Sequence, residues 1–329
     1  MSAAVTSARG RTRDSFVRRT LRRHTFLFAL LLTALLLVLN LSIQPSFGWT
    51  TQLASFAPLA VAAIASTPSI ISGRGGIDMS ISPVMTLSGI VFAGYLAPSG
   101  LGGVEGLLIV MAIGAAIGVV NGLIIIGLRL SPIVVTLGMY FIITGVNLKL
   151  APTPFRLDDA NWLTAFATNI GPLPGPVLSL ALPIVLWSLL SLTAYKRNLY
   201  AVGGNDATAF TAGVNVPVVR VVAFAIGGAF AGIAGLVLLG LVRTADSSTS
   251  ASYTLVAIAA VALGGTSLAG GRGGITGAIL GAASIFLVQS VLADARVPQT
   301  WLAAIYGAML IAAVVIGALV SGERNRSRS

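Results

Sequence analysis

Cysteine is absent from the 329 residues, and histidine occurs once, as His24. The first absence excludes a disulfide framework, thiolate catalysis and cysteine-held metal. The second leaves no histidine pair for a metal or a proton relay, and His24, set among arginines, reads as an interfacial residue. Charge is also scarce: 9% of residues are Asp, Glu, Lys or Arg, where a globular domain carries about 25%. The two lysines, Lys149 and Lys196, follow no glycine loop, and no G-x-x-x-x-G-K-[ST] run occurs. The chain therefore has no phosphate cradle of its own. The glycine-rich run Gly264–Gly271 lacks the preceding strand that a dinucleotide site requires. Nothing in the residue inventory looks catalytic.

What the chain does have is apolar sequence. Hydrophobic residues make up 56%, more than a soluble fold of this size can bury. A hydrocarbon core of about 30 Å calls for roughly 20 apolar residues per helix. Ten segments answer to that: 26–43, 53–72, 79–97, 104–127, 132–150, 177–195, 217–242, 253–270, 275–292 and 300–320. Backbone polar groups in lipid must be paired within the segment, which favours helices. Barrel strands would alternate polar and apolar residues, and Leu30 to Leu39 does not. The expected fold class is all-α, a polytopic bundle of about ten transmembrane helices.

Basic residues fall on alternate connections. One set holds Arg9, Arg11, Arg13, Arg18, Arg19, Arg22, Arg23, Arg74, Arg129, Lys196, Arg197, Arg220, Arg272, Arg324, Arg326 and Arg328, against Asp14, Asp78, Asp206 and Glu323. The other holds Lys149, Arg156, Arg243 and Arg296, against Glu105, Asp158, Asp159, Asp246 and Asp294. The first set sits on the cytoplasmic side by the positive-inside rule, which places both termini there. Arginines beside anionic lipid account for the net charge of +11 without nucleic acid. No small-residue cleavage site is visible near Ile43, so the first helix reads as an uncleaved span.

The longest external connection, about 151–176, carries Pro152, Pro154, Pro172, Pro174 and Pro176, which forbid a long regular helix. Trp162 within it suits the interfacial aromatic belt. Small residues recur every fourth position at Gly114/Gly118/Gly122, Gly228/Gly232 and Gly277/Gly281, a pattern that lets helix backbones pack closely. The pentapeptide Gly-Arg-Gly-Gly-Ile occurs at Gly73–Ile77 and again at Gly271–Ile275. In a chain with 38 glycines this is compatible with chance.

Two stretches break the apolar pattern: Gly73 to Ser80 and Leu263 to Gly271. Paired glycines beside Ser, Thr and Asp suggest interrupted helices, which are tolerated at membrane depth where protein or a water-filled cavity surrounds them. They read either as the lining of a polar-solute pathway or as turns between helices. The spans hold few ionisable groups, and the acids Asp78, Glu105, Asp246 and Asp294 sit at predicted span ends. That speaks against a proton- or sodium-coupled carrier. A third stretch, Tyr195 to Asn215, joins spans six and seven. Asn205 or Asp206 can cap a short helix over 207–212, Gly213 can end it, and Phe210 is its apolar knob.

These stretches resemble the permease subunits of bacterial ABC importers for simple sugars, the ribose/xylose/autoinducer-2 group. Gly75-Gly76-Ile77-Asp78-Met79-Ser80 is similar to that group's G-G-I-D-L-S. Ser131 to Gly138 resembles P-F-I-V-T-L-G. Tyr200-Ala201-Val202-Gly203-Gly204-Asn205, with Ala207, Gly213, Val214, Asn215 and Val216, resembles Y-A-I-G-G-N…S-G-I-N-V. Ala257 to Gly271 resembles A-I-A-A-V-V-L-G-G-T-S-L-A-G-G. The likeness covers roughly residues 50–320. Thr254 and Val256 stand where the group often has acids, Ile81-Ser82-Pro83 replaces V-G-S, and Thr208 stands where alanine is common.

The resemblance implies a type II ABC importer-like permease domain over 26–320, between cytoplasmic tails at 1–25 and 321–329, in a bacterial inner membrane. It implies two permease copies, or a copy and a paralogue, with two ATPase subunits and a solute-binding protein. It implies no cofactor on this chain, ATP and Mg belonging to the partner ATPase. The ATPase-coupling loop would comprise Gly203, Gly204, Asn205, Asp206, Ala207, Phe210, Gly213 and Val214. The substrate pathway would comprise Gly75, Gly76, Asp78, Ser80, Gly264, Gly265, Thr266 and Ser267. The implied function is inward passage of a small polar solute, a monosaccharide. Branched-chain amino acids or nucleosides as cargo, and an ion-coupled carrier, are the alternatives.

Overall fold

The computed structural model describes residues 26–44 and 47–298, with a few isolated positions between 301 and 311. The tails at 1–25 and 321–329, His24 and most of the expected segment 300–320 lie outside the described residues. Twelve helices occur among the described residues: α1 (Leu27–Ile43), α2 (Trp49–Ile71), α3 (Ile81–Val91, continued by a π-helical turn over Phe92–Leu96), α4 (Val104–Gly127), α5 (Pro132–Leu150), α6 (Trp162–Ala165), α7 (Gly175–Ser191), α8 (Ala194–Gly204), α9 (Asp206–Thr211), α10 (Val216–Val242), α11 (Tyr253–Leu263) and α12 (Ile275–Asp294). Four two-residue strands complete them: β1 (Phe155–Arg156) pairs with β4 (Thr244–Ala245), and β2 (Asn169–Ile170) with β3 (Leu173–Pro174), both antiparallel.

α2, α4, α5, α10 and α12 are each long and apolar enough to cross a membrane, and α7 with α8 would form a sixth crossing, bent by 85°. α1, α3 and α11 are shorter apolar helices. This is a multi-pass membrane architecture, with five or six full-length spans among the described residues. The clearest departure is the expected span 253–270. Its helix stops at Leu263, because Gly264 and Gly265 follow and Gly265 takes φ +80°. At 1.5 Å per residue, eleven residues reach roughly 16 Å, about half the hydrocarbon thickness. The sixth expected span is also cut short. The chain turns after Ser191, and a second helix, α8, occupies part of what read as a loop.

α2 lies at the centre, with 94% of its apolar window buried, and it packs against α10, α12, α11 and α7. α10 runs along α4 through the glycine faces read in the sequence. A methyl group added at Gly114 would strike the Gly228 carbonyl, one at Gly228 would strike the Gly114 carbonyl, and one at Gly118 would strike that of Phe224. Backbones that touch in this way exchange dispersion contact where lipid offers no hydrophobic drive. α1 is held to α12 by polar groups: Thr33 Oγ1 lies 2.9 Å from Ser284 Oγ, and Asn40 Nδ2 donates to Leu287 O at 3.1 Å. α4 and α5 turn apolar side chains such as Leu108, Val134, Phe141 and Ile142 outward.

The connections gather on two faces. On one, Trp162 Nε1 donates to Gly102 O, Arg243 pairs with Asp159, Thr50 meets Asn169, and Gln44 bonds Asp294. On the other, Arg74 pairs with Asp206, Tyr200 bonds Gly273 O, and Gly73 lies against Gly203. The prolines of 151–176 leave only α6 and short strands there, as expected. Among the described residues, the first face holds Asp159, Arg243 and Asp294 of one charge set, and the second holds Arg74, Asp206 and Arg220 of the other.

Candidate functional site

α3 begins inside the bundle. After Ile71 the chain leaves helical geometry, passes through Gly73, Arg74 and Gly75 in left-handed conformation (φ 81°, 52° and 69°), and enters the interior at Asp78. The free N–H groups of a helix start need acceptors, and here they come from several elements. Asp78 Oδ1 accepts from Ser80 N at 2.8 Å and Ser80 Oγ at 2.6 Å. Thr254 Oγ1, at the start of α11, accepts from Ser82 N at 2.9 Å and lies 3.2 Å from Met79 O. Thr136 Oγ1 of α5 accepts from Met79 N at 3.0 Å. Ser250 Oγ donates to Ser82 O and shares a hydrogen bond with Thr86 Oγ1.

Two asparagines complete this buried polar set. Asn121 Nδ2 of α4 donates to Ser80 Oγ at 3.0 Å, and Asn147 Nδ2 of α5 donates to Pro83 O at 3.0 Å. Their amide oxygens are buried without a protein partner. The set is thus rich in acceptors, able to take hydrogen bonds from water or from a hydroxylated solute. Close by, a cavity of about 10 Å³ lined by Met85, Thr86, Gly89, Gly235 and Leu239 has room for about one water.

The residues expected to line a pathway divide between two places. Asp78 and Ser80 form the buried amino end of α3. Gly75 and Gly76 precede it, Gly76 packed against Ser69 O. Gly264, Gly265, Thr266 and Ser267 instead close the turn between α11 and α12. Gly264 lies on Gly277 O, Thr266 Oγ1 accepts from Gly274 N at 3.2 Å, and Ser267 N donates to Arg272 O at 3.1 Å. Asp78, expected at a span end, is at an end in sequence but buried in space. Asn121, Asn147, Thr136, Ser250 and Thr254 were not anticipated as parts of one site. The signal for the asparagines was available, since an amide within an apolar span is costly unless something uses it.

The α7–α10 connection has the expected short helix. Asn205 Oδ1 accepts from Thr208 N at 3.0 Å and caps α9. Gly213, at φ +83°, ends it, and Val214 N donates to Ala209 O. Ala207 and Phe210 are exposed, and Gly204 is open to its surroundings. Gly203 faces inward, where a methyl group would collide with the carbonyl of Ile71. Asp206 Oδ2 receives Arg74 Nε at 2.7 Å and Arg220 Nη2 at 3.1 Å. Partial burial pushes the Asp206 carboxyl up, but the hydrogen bond and charge of Arg220 and the charge of Arg74 outweigh it and hold the carboxyl below its usual value. Gly73, the first residue of one Gly-Arg-Gly-Gly-Ile copy, lies here against Gly203 and against Gly270, the residue before the other copy.

Residues 48–314 match the family described as "Branched-chain amino acid transport system / permease component". The chain is 32% identical over 255 residues to the D-allose transport system permease protein AlsC of Escherichia coli, covering 75% of this chain and 76% of that one. It is 31% identical over 253 residues to the ribose import permease protein RbsC of Bacillus subtilis, with 74% and 76% covered. It is 30% identical over 281 residues to the fructose import permease protein FrcC of Rhizobium meliloti, with 82% and 78% covered. No solved structure matches the chain significantly.

Proposed function

The chain belongs to the branched-chain amino acid transport system / permease component family, and from that membership we propose that it carries a monosaccharide inward as the membrane subunit of an ATP-driven, binding-protein-dependent importer. As a permease component it is a transport subunit and not an enzyme. The family's description mentions amino acids, yet the relatives bear the names of allose, ribose and fructose permeases. An amino-acid, nucleoside or ion-coupled reading is not favoured.

The remaining assignments are part of the proposal. The face carrying Arg74, Arg129, Lys196, Arg197, Arg220 and Arg272 is cytoplasmic, in keeping with the positive-inside bias. Helix α9 is offered there to the ATPase subunits, with Ala207 and exposed Phe210 as contacts and Asn205 and Gly213 shaping the helix. ATP and Mg are held by those partners. A solute-binding protein delivers cargo to the opposite face, where β1, β4 and the Asp159–Arg243 pair lie. A second permease copy or a paralogue completes the unit. Asp78 and Ser80 stand beside the solute route, with Gly75 and Gly76 leading to them, and Gly264–Ser267 shape the turn below α11.

The observation that carries this reading is the 30–32% identity to the allose, ribose and fructose permeases over 74–82% of the chain, within the family match across residues 48–314. The test is uptake by proteoliposomes holding this chain, its ATPase subunits and its binding protein, using radiolabelled allose, ribose and fructose. The expected result is accumulation of one or more of them that requires ATP and the binding protein. Gradient-driven uptake by the chain alone would overturn the reading.

A further inference from the structure

Three connections on the arginine-rich face are joined at one junction. The backbones of Gly73, Gly203 and Gly270 touch with no side chain between them: a methyl group on Gly270 would strike Gly73 Cα, and one on Gly203 would strike Ile71 O. Gly271 N donates to Ile71 O at 3.0 Å. Tyr200 of α8 reaches across to Gly273 O at 2.7 Å. Asp206 closes the junction by holding Arg74 and Arg220 together. Close-packed backbone leaves little slack, so a displacement of α8 and α9 must move their neighbours or break these contacts.

From this junction two short routes lead to the same buried place. Arg74 is four residues before Asp78 and stands in the left-handed turn that precedes α3. On the other side, Gly270 and Gly271 follow α11, whose first turn holds Thr254 against Met79 O and Ser82 N. The α8–α9 segment is therefore linked both to the segment that leads into α3 and to the segment that follows α11. Asp206 is poorly suited to docking, because both its partners lie within the chain and its side chain is 24% exposed, whereas Phe210 on the same helix is 69% exposed; Arg74 is the outer member of the pair, its side chain 71% exposed, and Arg220 the inner one, at 12%.

We propose that the Asp206–Arg74 ion pair carries motion of α8–α9 into the buried amino end of α3, with Asp206 as a positioning residue rather than a contact of the docking surface. The proposal rests on the reading above that a separate ATPase acts on this face. The reconstituted full complex is the system for testing it. Arg74→Asn removes the ion pair and keeps a residue that tolerates left-handed backbone, and Asp206→Asn removes it from the other side. Solute moved per ATP hydrolysed should fall roughly tenfold in both, a typical size for lost coupling between sites, while the ATPase subunits still co-purify. In this cysteine-free chain, Arg74→Cys/Asp206→Cys should show the same loss and regain transport when a short bis(methanethiosulfonate) bridges the two positions, each thiolate displacing a sulfinate to form a disulfide.

An unchanged ratio in Arg74→Asn would overturn the proposal, even if Asp206→Asn failed to insert. So would loss of ATPase co-purification with the ratio preserved, which would make the pair a docking contact. A bridge that blocks transport would also overturn it, since the junction would then have to open. Failure of the unmodified complex to show ATP-driven uptake marks the failure of the underlying reading instead, and the proposal falls with it.

Discussion

Asp206 shows most directly how a single residue can be read correctly as chemistry and incompletely as structure. In the sequence it is one acid in a basic loop and a candidate cap. Asn205 takes the cap, and Asp206 is left to face two arginines. Its carboxyl is held below the ordinary value, so the stabilisation it brings is complete above the unfolded carboxylate value near 3.9 and is lost as pH falls through the lower folded value. Thermal unfolding in detergent should therefore show an extra acid-dependent drop below about pH 4. Asp206→Asn should remove that component and start from a lower midpoint at neutral pH. Parallel acid profiles for the two proteins would show that the pair contributes nothing. The pairing was not legible in the sequence, because Arg74, Asp206 and Arg220 meet only through the tertiary fold.

At the scale of elements, periodic features were read well and interruptions less so. The Gly114/Gly118/Gly122 face was legible because four-residue spacing puts small residues on one side of a helix, and α10 occupies that face. Gly118→Ala should lower the unfolding midpoint, corresponding to about 1–3 kcal/mol, since its methyl group would meet the Phe224 backbone in a packed interface. Gly138→Ala on α5 has open space around it, and should be neutral or stabilising by up to about 1 kcal/mol. Equal effects at the two sites would argue against the close α4–α10 contact. The end of α11 was legible only as a break in the apolar pattern at Leu263–Gly271: the expected span ran on to 270, whereas the paired glycines end the helix at Leu263. Hydropathy could not give α8, whose mixed composition reads as loop until Tyr195 and Tyr200 find partners in Val219 O and Gly273 O.

At the scale of the whole molecule, Arg74, Asp206 and Arg220 gather on one face of the described bundle and Asp159, Arg243 and Asp294 on the other. The proposed orientation is open to direct test. Single cysteines at Asn205 and Asp158 should react with a membrane-impermeant thiol reagent from opposite sides, Asp158 in intact cells and Asn205 only in inverted vesicles. Labelling of both from the same side would refute the orientation. The polar centre of the bundle was only half legible. Asp78 and Ser80 stood out by their motif. Thr254 drew notice only as a departure from a pattern, and Asn121 and Asn147 looked like isolated amides in apolar spans.

By itself the sequence determined the class of protein, the packing faces and the capped helix α9. Those properties depend on local composition and on periodicities within one segment. The tertiary structure alone decided which breaks meet. The contacts of Gly73 with Gly203 and Gly270, and of Met79 with Thr254, join residues more than a hundred positions apart. Whether such backbones can touch depends on how the intervening helices pack, and no local pattern encodes that.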